Sequence, residues 1–268
     1  MADSETGTYR LSVVIPMYNA AQRFPQAAPI LLRYLQAQSY PYEIVVVSDG
    51  SSDNTVEVAR TALAAAPAVR VLEYQPNQGK GHALRTGMTA AQGDFVLFTD
   101  ADMSTPPDEL DAFWPALEQG YDVVIGSRKM SGAQLTRRQP WLREHLGKVF
   151  TWLSDRLVTR NISDVTCGFK VFTRRAAHDL FRRGRIDDWS YDAEILFLAQ
   201  WRGYRIQEVP VRWHDEQGSK VNMLRDGLRA FRGLLRIRWN GLVGRYGERV
   251  RPGPAPALEL RSNDPPPR

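Results

Sequence analysis

The sequence predicts a doubly wound α/β fold: a mostly parallel sheet with helices on both faces. Three observations predict it. Four short apolar runs are rich in β-branched residues, helical stretches alternate with them, and polar, glycine-bearing segments follow the runs. The runs are Leu11–Pro16, Glu43–Ser48, Asp94–Thr99 and Asp122–Gly126. Each is apolar at consecutive positions, the pattern of a strand covered on both sides.

Taken in order, the first run is followed by a helical stretch at about 22–37 and then by the second run. A helix over 54–65 comes next, with Asn54 as a start signal. The weaker strand Val69–Tyr74 and a helix over 80–91 lead to the third run. Pro106 and Pro107 open a helix over 107–119, because proline is tolerated in a first turn where its missing N–H is not needed. The fourth run follows. Such alternation of strand and helix is what a parallel sheet with crossover helices requires.

Beyond Gly126 the alternation lapses. Gln139–Thr159 reads as a helix with Trp141, Leu142, Leu146, Phe150, Leu153 and Leu157 near one face. An extended piece at Phe169–Phe172, a helix at Arg174–Phe181, a helix at Tyr191–Trp201 and a strand at Tyr204–Val211 follow. A basic helix spans Asn222–Tyr246, carrying Leu224, Leu228, Phe231, Leu235, Trp239 and Leu242 at helical spacing. The last 17 residues hold six of the 17 prolines and are expected to be disordered. The organisation expected is a disordered start at 1–9, a catalytic domain over 10–215, a loop and basic helix over 216–250, and the proline-rich tail at 251–268.

Composition narrows the class. With 268 residues, of which 43% are hydrophobic and 24% charged, the chain can bury a substantial core. One cysteine, Cys167, excludes an internal disulfide framework and a cysteine-based zinc site, and its place beside Gly168 suggests packing. The polar start lacks the basic and apolar parts of a signal peptide. No run reaches the roughly 18 apolar residues of a membrane span. A cytoplasmic, non-spanning protein is the expectation. Eight arginines between Asn222 and Arg251 face only Asp226 and Glu248, so this stretch outweighs the net charge of +5 and the rest is nearly neutral. One basic segment on a neutral body suggests a localised anionic partner and not a nucleic-acid coat.

In an open parallel sheet, ligands bind at the carboxyl ends of the strands. There the sequence places Pro16-Met17-Tyr18-Asn19, Asp49-Gly50-Ser51-Ser52-Asp53, Asp100-Ala101-Asp102 and Gly126-Ser127-Arg128. If the strand stays extended, Asp100 and Asp102 point to one side. Two hard oxygen donors suit Mg2+ or Mn2+, which take carboxylates together with substrate phosphate oxygens. A lone D-x-D also occurs in turns and caps, so its position at a buried strand end carries the reading. Gly79-Lys80-Gly81 at a helix start can bring backbone N–H groups close to an anion; the alternative is an ordinary glycine turn with a solvent-facing lysine. Asp53 suits a helix cap. His214 reads as a loop residue that could also approach a metal.

In this order, VVIPMYN, SDGSSDNT, NQGKGHALRTG, TDADMSTPPDEL, GSR, DVTCGFKVF, YDAEILF and GSKV resemble the family 2 glycosyltransferases of GT-A fold. Within them the chain is most similar to the polyprenyl-phosphate and dolichyl-phosphate sugar transferases, the glucosyltransferase branch above all. The segment Asp164–Lys170 and Gly218-Ser219-Lys220 pull it that way. The resemblance covers about Leu11 to Trp239. It implies that Pro16, Tyr18 and Asp49 line the base and ribose pocket, with Gly79 and Lys80 nearby. It implies that Asp100 touches the ribose and helps hold the metal, that Asp102 ligates it, and that Arg128 lies near the acceptor phosphate. Asp192 would face the donor sugar, and Ser219 and Lys220 would close over the pyrophosphate on a mobile loop. Ala20 and Ser48 stand where the family often has carboxylates, which leaves base and sugar preference open.

The activity expected is inverting transfer of a hexose, from UDP-glucose or else GDP-mannose, to a polyprenyl phosphate at the cytoplasmic membrane face. Metal at Asp100 and Asp102 and the charge of Lys220 would offset the charge of the leaving diphosphate. A hydroxyl acceptor would need a base, for which Asp192 or Glu194 is the candidate. A phosphate monoester, with second pKa roughly 6, needs positioning by arginines instead. Arg128, Arg137, Arg138 and Arg143 favour the phosphate. The basic helix, with Trp239 among its leucines, has the composition of an in-plane membrane binder; a helix packed on the domain is the other reading. A soluble transferase acting on a sugar hydroxyl, and a silent nucleotide-sugar-binding protein, are the remaining alternatives.

Overall fold

The apolar runs fold as strands covered on both sides. The structure, a computed structural model, describes residues 9–135, 149, 152–214 and 223–250. In chain order these form β1 (Tyr9–Met17), α1 (Phe24–Gln36), β2 (Tyr42–Asp49), α2 (Thr55–Ala62), β3 (Val69–Tyr74), α3 (Lys80–Ala90) and β4 (Gly93–Thr99). A 3-10 helix (Pro107–Ala112), α4 (Trp114–Glu118), β5 (Val123–Ser127) and β6 (Gln134–Leu135) follow. Then come α5, described over 152–157, β7 (Phe169–Thr173), α6 (Arg174–Arg183) and α7 (Tyr191–Trp201). β8 (Ile206–Pro210), β9 (Arg212–Trp213) and α8 (Met223–Leu242) complete the order.

Seven strands make one sheet in the order β3-β2-β1-β4-β7-β5-β8, and β6 pairs with β9 in a small parallel ribbon. All neighbours in the large sheet are parallel except β7, which runs antiparallel to both β4 and β5. Period-2 alternation splits the core. Val14, Val45, Val47, Val96 and Phe98 face α3, α6 and α7. Val13, Ile15, Ile44, Val46 and Leu97 face the side of α1 and α4. Consecutive apolar residues in these strands therefore reflect two cores, as the sequence predicts.

The predicted helix over 107–119 is two elements, because Pro115 cannot donate to the carbonyl four residues back and its ring crowds it. The expected strand Tyr204–Val211 shortens to β8, and β6 and β9 were not expected. Most of the expected helix Gln139–Thr159 lies outside the described residues; its described part is helical over 152–157. Residues 1–8, 215–222 and 251–268 also lie outside them. Among the described residues no helix is long and apolar enough to cross a membrane.

α8 packs through Leu234, Ile237 and Asn240, all buried. Gly233 and Gly241 make the close approach possible: a β-carbon on Gly233 would sit 2.0 Å from Ser190 Oγ, and one on Gly241 3.0 Å from the Phe197 ring. The predicted stripe of Phe231, Leu235, Trp239 and Leu242 consequently faces outward, with Arg232, Arg236 and Arg238 exposed around it. Side chains 223–228 and 230 lie outside the described ones.

Candidate active site

β1 lies between β2 and β4, and the chain leaves to β2 on one side and returns to β4 on the other, so the crevice above their carboxyl ends is the switch point of the sheet. Polar loops meet there. Asn19 Oδ1 accepts from Ser52 N at 2.9 Å, Ala20 N donates to Thr55 Oγ1 at 2.8 Å, and Ala21 N to Asp53 Oδ2 at 3.3 Å. Asp53 also accepts from Thr55 N at 3.1 Å. It thus ties the β1 loop to the start of α2, whereas Asn54 makes no side-chain cap. Pro16 is buried in β1 and Tyr18 is exposed at the rim.

Asp49 organises one wall. Its carboxylate, buried at the end of β2, accepts from Gln78 N (2.8 Å), Gly79 N (2.9 Å), Asn77 Nδ2 (2.8 Å) and the Tyr74 hydroxyl (2.9 Å). The anion expected at the glycine-rich start of α3 is therefore this internal carboxylate. Gly81 N is likewise engaged, donating to Asp187 O at 2.9 Å. At Gly79, φ is +103° and a β-carbon would lie 2.4 Å from the Asp187 carbonyl oxygen, so only glycine fits.

The acidic pair is not on an extended strand. β4 ends at Thr99, and Asp100 O accepts from Met103 N at 3.1 Å across a turn in which Met103 has φ of +51°. The strand cannot continue through that turn, so the expectation of two carboxylates on one strand face is corrected. Asp102 Oδ1 accepts from Ser104 N (3.0 Å) and Oγ (2.8 Å). Asp100 Oδ1 takes Lys80 Nζ at 2.5 Å, so Lys80 points into the site and not to solvent. Burial opposes the Lys80 ammonium, but the charges of Asp100, Asp192 and Asp102 outweigh it and raise its pKa. The lysine is bonded to one of these carboxylates, Asp100, and feels the charge of the other two. Gly168 closes the far side: a β-carbon there would fall 2.0 Å from Asp100 Oδ2.

Asp192 opens the first turn of α7, which sets it beside the sheet. Its Oδ1 accepts from Lys170 Nζ at 2.5 Å, and the same ammonium donates to Cys167 O at 2.5 Å. Lys170 is 1% exposed, on β7, with Nζ 5.1 Å from the Phe98 ring centre. The sequence offered a signal for it that went unread: one lysine inside the apolar strand Phe169–Phe172 needs a buried counter-charge. Glu194 is not at the site. It is fully buried, accepts from Arg185 N and Ile186 N at 2.9 Å and from the Tyr246 hydroxyl at 2.5 Å, and burial pushes its carboxyl above the usual range.

Arg128, beyond β5, forms a fork with Asp164: Nε to Oδ2 at 2.7 Å and Nη2 to Oδ1 at 2.8 Å, with Thr166 Oγ1 at 2.9 Å from Nη2. Its carbon Cζ lies 5.2 Å from the Trp213 ring centre. Burial would raise the Asp164 carboxyl, but Arg128 wins and holds it down to about 2. Glu208 anchors the same loop through Ser163 N at 2.9 Å and Asp164 N at 3.1 Å. His214 N donates to Ser104 O at 2.8 Å, which ties the end of β9 to the Asp102 turn.

Pro16, Tyr18, Asp49, Gly79, Lys80, Asp100, Asp102, Arg128 and Asp192 therefore all lie on elements that end at the carboxyl edge of the sheet or pack beside it. Arg137, Arg138, Ser219 and Lys220 lie outside the described residues. Among the described residues no three His, Cys, Asp or Glu side chains converge as a closed metal cage. Mg2+ and Mn2+ take one or two carboxylates together with phosphate oxygens and water, and Asp100 and Asp102 are the carboxylates at this turn.

Comparison with known proteins places this geometry. The glycosyl transferase family 2 model matches residues 12–181. A dolichyl-phosphate beta-glucosyltransferase of Drosophila melanogaster is 36% identical over 255 residues, covering 90% of this chain and 78% of the relative. The human dolichyl-phosphate beta-glucosyltransferase is 32% identical over 259 residues, covering 90% and 79%. Among solved structures, the glucosyl-3-phosphoglycerate synthase of Mycobacterium tuberculosis, in complex with Mn2+, UDP and glucosyl-3-phosphoglycerate, superposes with TM-score 0.64 at 18% identity over 87% of this chain and 81% of that one. Mannosyl-3-phosphoglycerate synthase from Rubrobacter xylanophilus does so with TM-score 0.64 at 20% identity over 92% and 79%. The last two likenesses concern the fold.

Proposed function

Because this chain belongs to glycosyl transferase family 2 and is a glycosyltransferase, we propose that it moves glucose from UDP-glucose to a dolichyl or polyprenyl phosphate, with inversion at the anomeric carbon. The observation that carries the acceptor class is the Lys170–Asp192 pair. A hydroxyl acceptor needs a base, and Asp192 has one of its two oxygens, Oδ1, bonded to a buried ammonium. Accepting a proton would strip that ammonium of its counter-charge. A phosphate monoester is already largely ionised near neutral pH and needs no such base. Together with the acceptor named for the relatives, this favours a lipid phosphate.

Asp102, with Asp100, would hold Mg2+ or Mn2+, which when bound supplies positive charge to the leaving diphosphate. The residues around it do the positioning. Asp49 fixes the amides of Gln78 and Gly79 and so shapes the wall for the base and ribose. Lys80 neutralises Asp100 and keeps that carboxylate in place. Arg128, whose Nε and Nη2 are taken by Asp164, would meet the acceptor phosphate with its remaining N–H donors. Ser219 and Lys220 would add their contacts to the pyrophosphate from the loop before α8. The outward stripe of α8, apolar and ringed by arginines, suits the surface of an anionic leaflet, so the enzyme would work as a peripheral protein at the cytoplasmic membrane face.

The test is a panel: purified full chain, UDP-glucose or GDP-mannose, Mg2+, Mn2+ or chelator, and a polyprenyl phosphate or a sugar alcohol acceptor. Glucose appearing in the lipid phosphate only with metal supports the reading. Transfer confined to the hydroxyl acceptor, or equal transfer with chelator, overturns it.

A further inference from the structure

Glu208 lies on the edge strand β8, where it pairs in register with Ile125 of β5. Three donors converge on its carboxylate, all from residues 163 and 164. Oε2 accepts from Ser163 N at 2.9 Å, and Oε1 accepts from Ser163 Oγ at 2.7 Å and from Asp164 N at 3.1 Å. The Ser163 hydroxyl gives its single hydrogen to Glu208, so its 2.8 Å contact with Ser127 Oγ is one in which it accepts. Ser127 ends β5 and immediately precedes Arg128. One carboxylate therefore holds the backbone of Asp164 and, through two serines, the residue from which Arg128 departs.

We propose that Glu208 is a positioning residue for the acceptor phosphate, acting through Asp164 and Arg128. The proposal rests on the lipid-phosphate reading above. Asp164 is fully buried and accepts from Arg128 N at 2.9 Å, Nε at 2.7 Å and Nη2 at 2.8 Å. The other hydrogen of Nη2 goes to Thr166 Oγ1 at 2.9 Å. Of the five guanidinium N–H donors, the two on Nη1 are then left without a partner among the described residues. Their direction is fixed by the Asp164 fork, and the fork sits on backbone that Glu208 holds. A pair of N–H donors on a fixed guanidinium suits the oxygens of a phosphate. A shift of the 163–164 backbone would turn the fork and carry those donors off line.

The experiment uses the full chain, UDP-glucose and a short polyprenyl phosphate, with Glu208→Gln as the variant. The carboxamide keeps the size of the side chain but has one acceptor oxygen instead of two, so at least one of the three donors loses its partner. The kcat/KM for the acceptor should fall roughly tenfold, while the KM for UDP-glucose stays within about twofold of the wild type. Arg128→Lys should lose more. On that background Glu208→Gln should cost less than about twofold further, because a residue that acts through Arg128 has nothing left to position. All constants are measured below the melting transition of each variant, so lost stability alone does not move the ratio of acceptor to donor effects. An unchanged acceptor kcat/KM in Glu208→Gln, a UDP-glucose KM raised as much as the acceptor's, or losses that multiply in the double variant overturn the proposal. Wild-type protein that uses no polyprenyl phosphate at all overturns the acceptor reading itself, and is recognised before any variant is made.

Discussion

Replacing Lys170 with methionine tests the ion pair at the centre of the site. The ammonium is almost fully buried, lies 2.5 Å from Asp192 Oδ1 and also serves the Cys167 carbonyl. Methionine fills similar volume but leaves a buried carboxylate without its counter-charge and a buried carbonyl without its donor. Breaking a buried pair in this way costs about 3–5 kcal/mol, a large share of the 5–15 kcal/mol that keeps a domain folded. At about 2–4 °C per kcal/mol for a large domain, the melting temperature should fall by roughly 10 °C. Thermal unfolding followed by circular dichroism, with transfer measured well below the transition, separates stability from chemistry. The double variant Lys170→Met/Asp192→Asn removes both charges and should recover most of the lost stability. If Lys170→Met melts within about 2 °C of the wild type and turns over normally, a shift of under ~1 kcal/mol, the pair does not hold Asp192 and the argument about the base collapses.

Three further outcomes follow from the geometry. Gly168→Ala places a methyl 2.0 Å from Asp100 Oδ2, so Asp100 must move; transfer should fall at least about a hundredfold while the melting temperature changes little, and unchanged turnover would show that Asp100 is not needed where it stands. Asp164 has a folded-state pKa of about 2, lowered from 3.8 by Arg128, so its share of stability is present above pH 4 and is lost as pH falls toward 2. Denaturant titrations across that window should lose about 2–3 kcal/mol through this group, and Asp164→Asn should flatten that part of the profile. On α8, Leu235→Glu with Trp239→Glu, or Arg232→Glu with Arg236→Glu, should each abolish sedimentation with anionic vesicles; binding that survives both pairs removes α8 as the membrane surface.

The strands of the first half were legible because burial on both faces leaves an unbroken apolar run, as in β1, β2, β4 and β5. The direction of β7 was not, since Phe169–Phe172 encodes an extended segment but not the neighbours it pairs with. Site positions could be read from strand ends, yet the partners could not. Asp49 was placed in the pocket, while its hydrogen bonds to Gln78 and Gly79, 29 and 30 residues on, depend on how two loops meet. Asp164 went unassigned for the same reason, being 36 residues from Arg128. The face that α8 buries illustrates another limit. A helical wheel finds the Phe231–Leu242 stripe, but the packed face is chosen by Gly233 and Gly241, whose missing side chains let the helix settle on Ser190 and Phe197.

The claim that the acceptor brings its own negative charge is tested most directly by the pH dependence of kcat/KM for the acceptor. With a prenyl phosphate the acidic limb should fall near the second ionisation of the monoester, roughly pH 6, and should move to lower pH with the more acidic thiophosphate analogue. A limb that stays at one pH for both acceptors and disappears in Asp192→Asn would assign the proton to the enzyme, and would contradict a carboxylate held by Lys170.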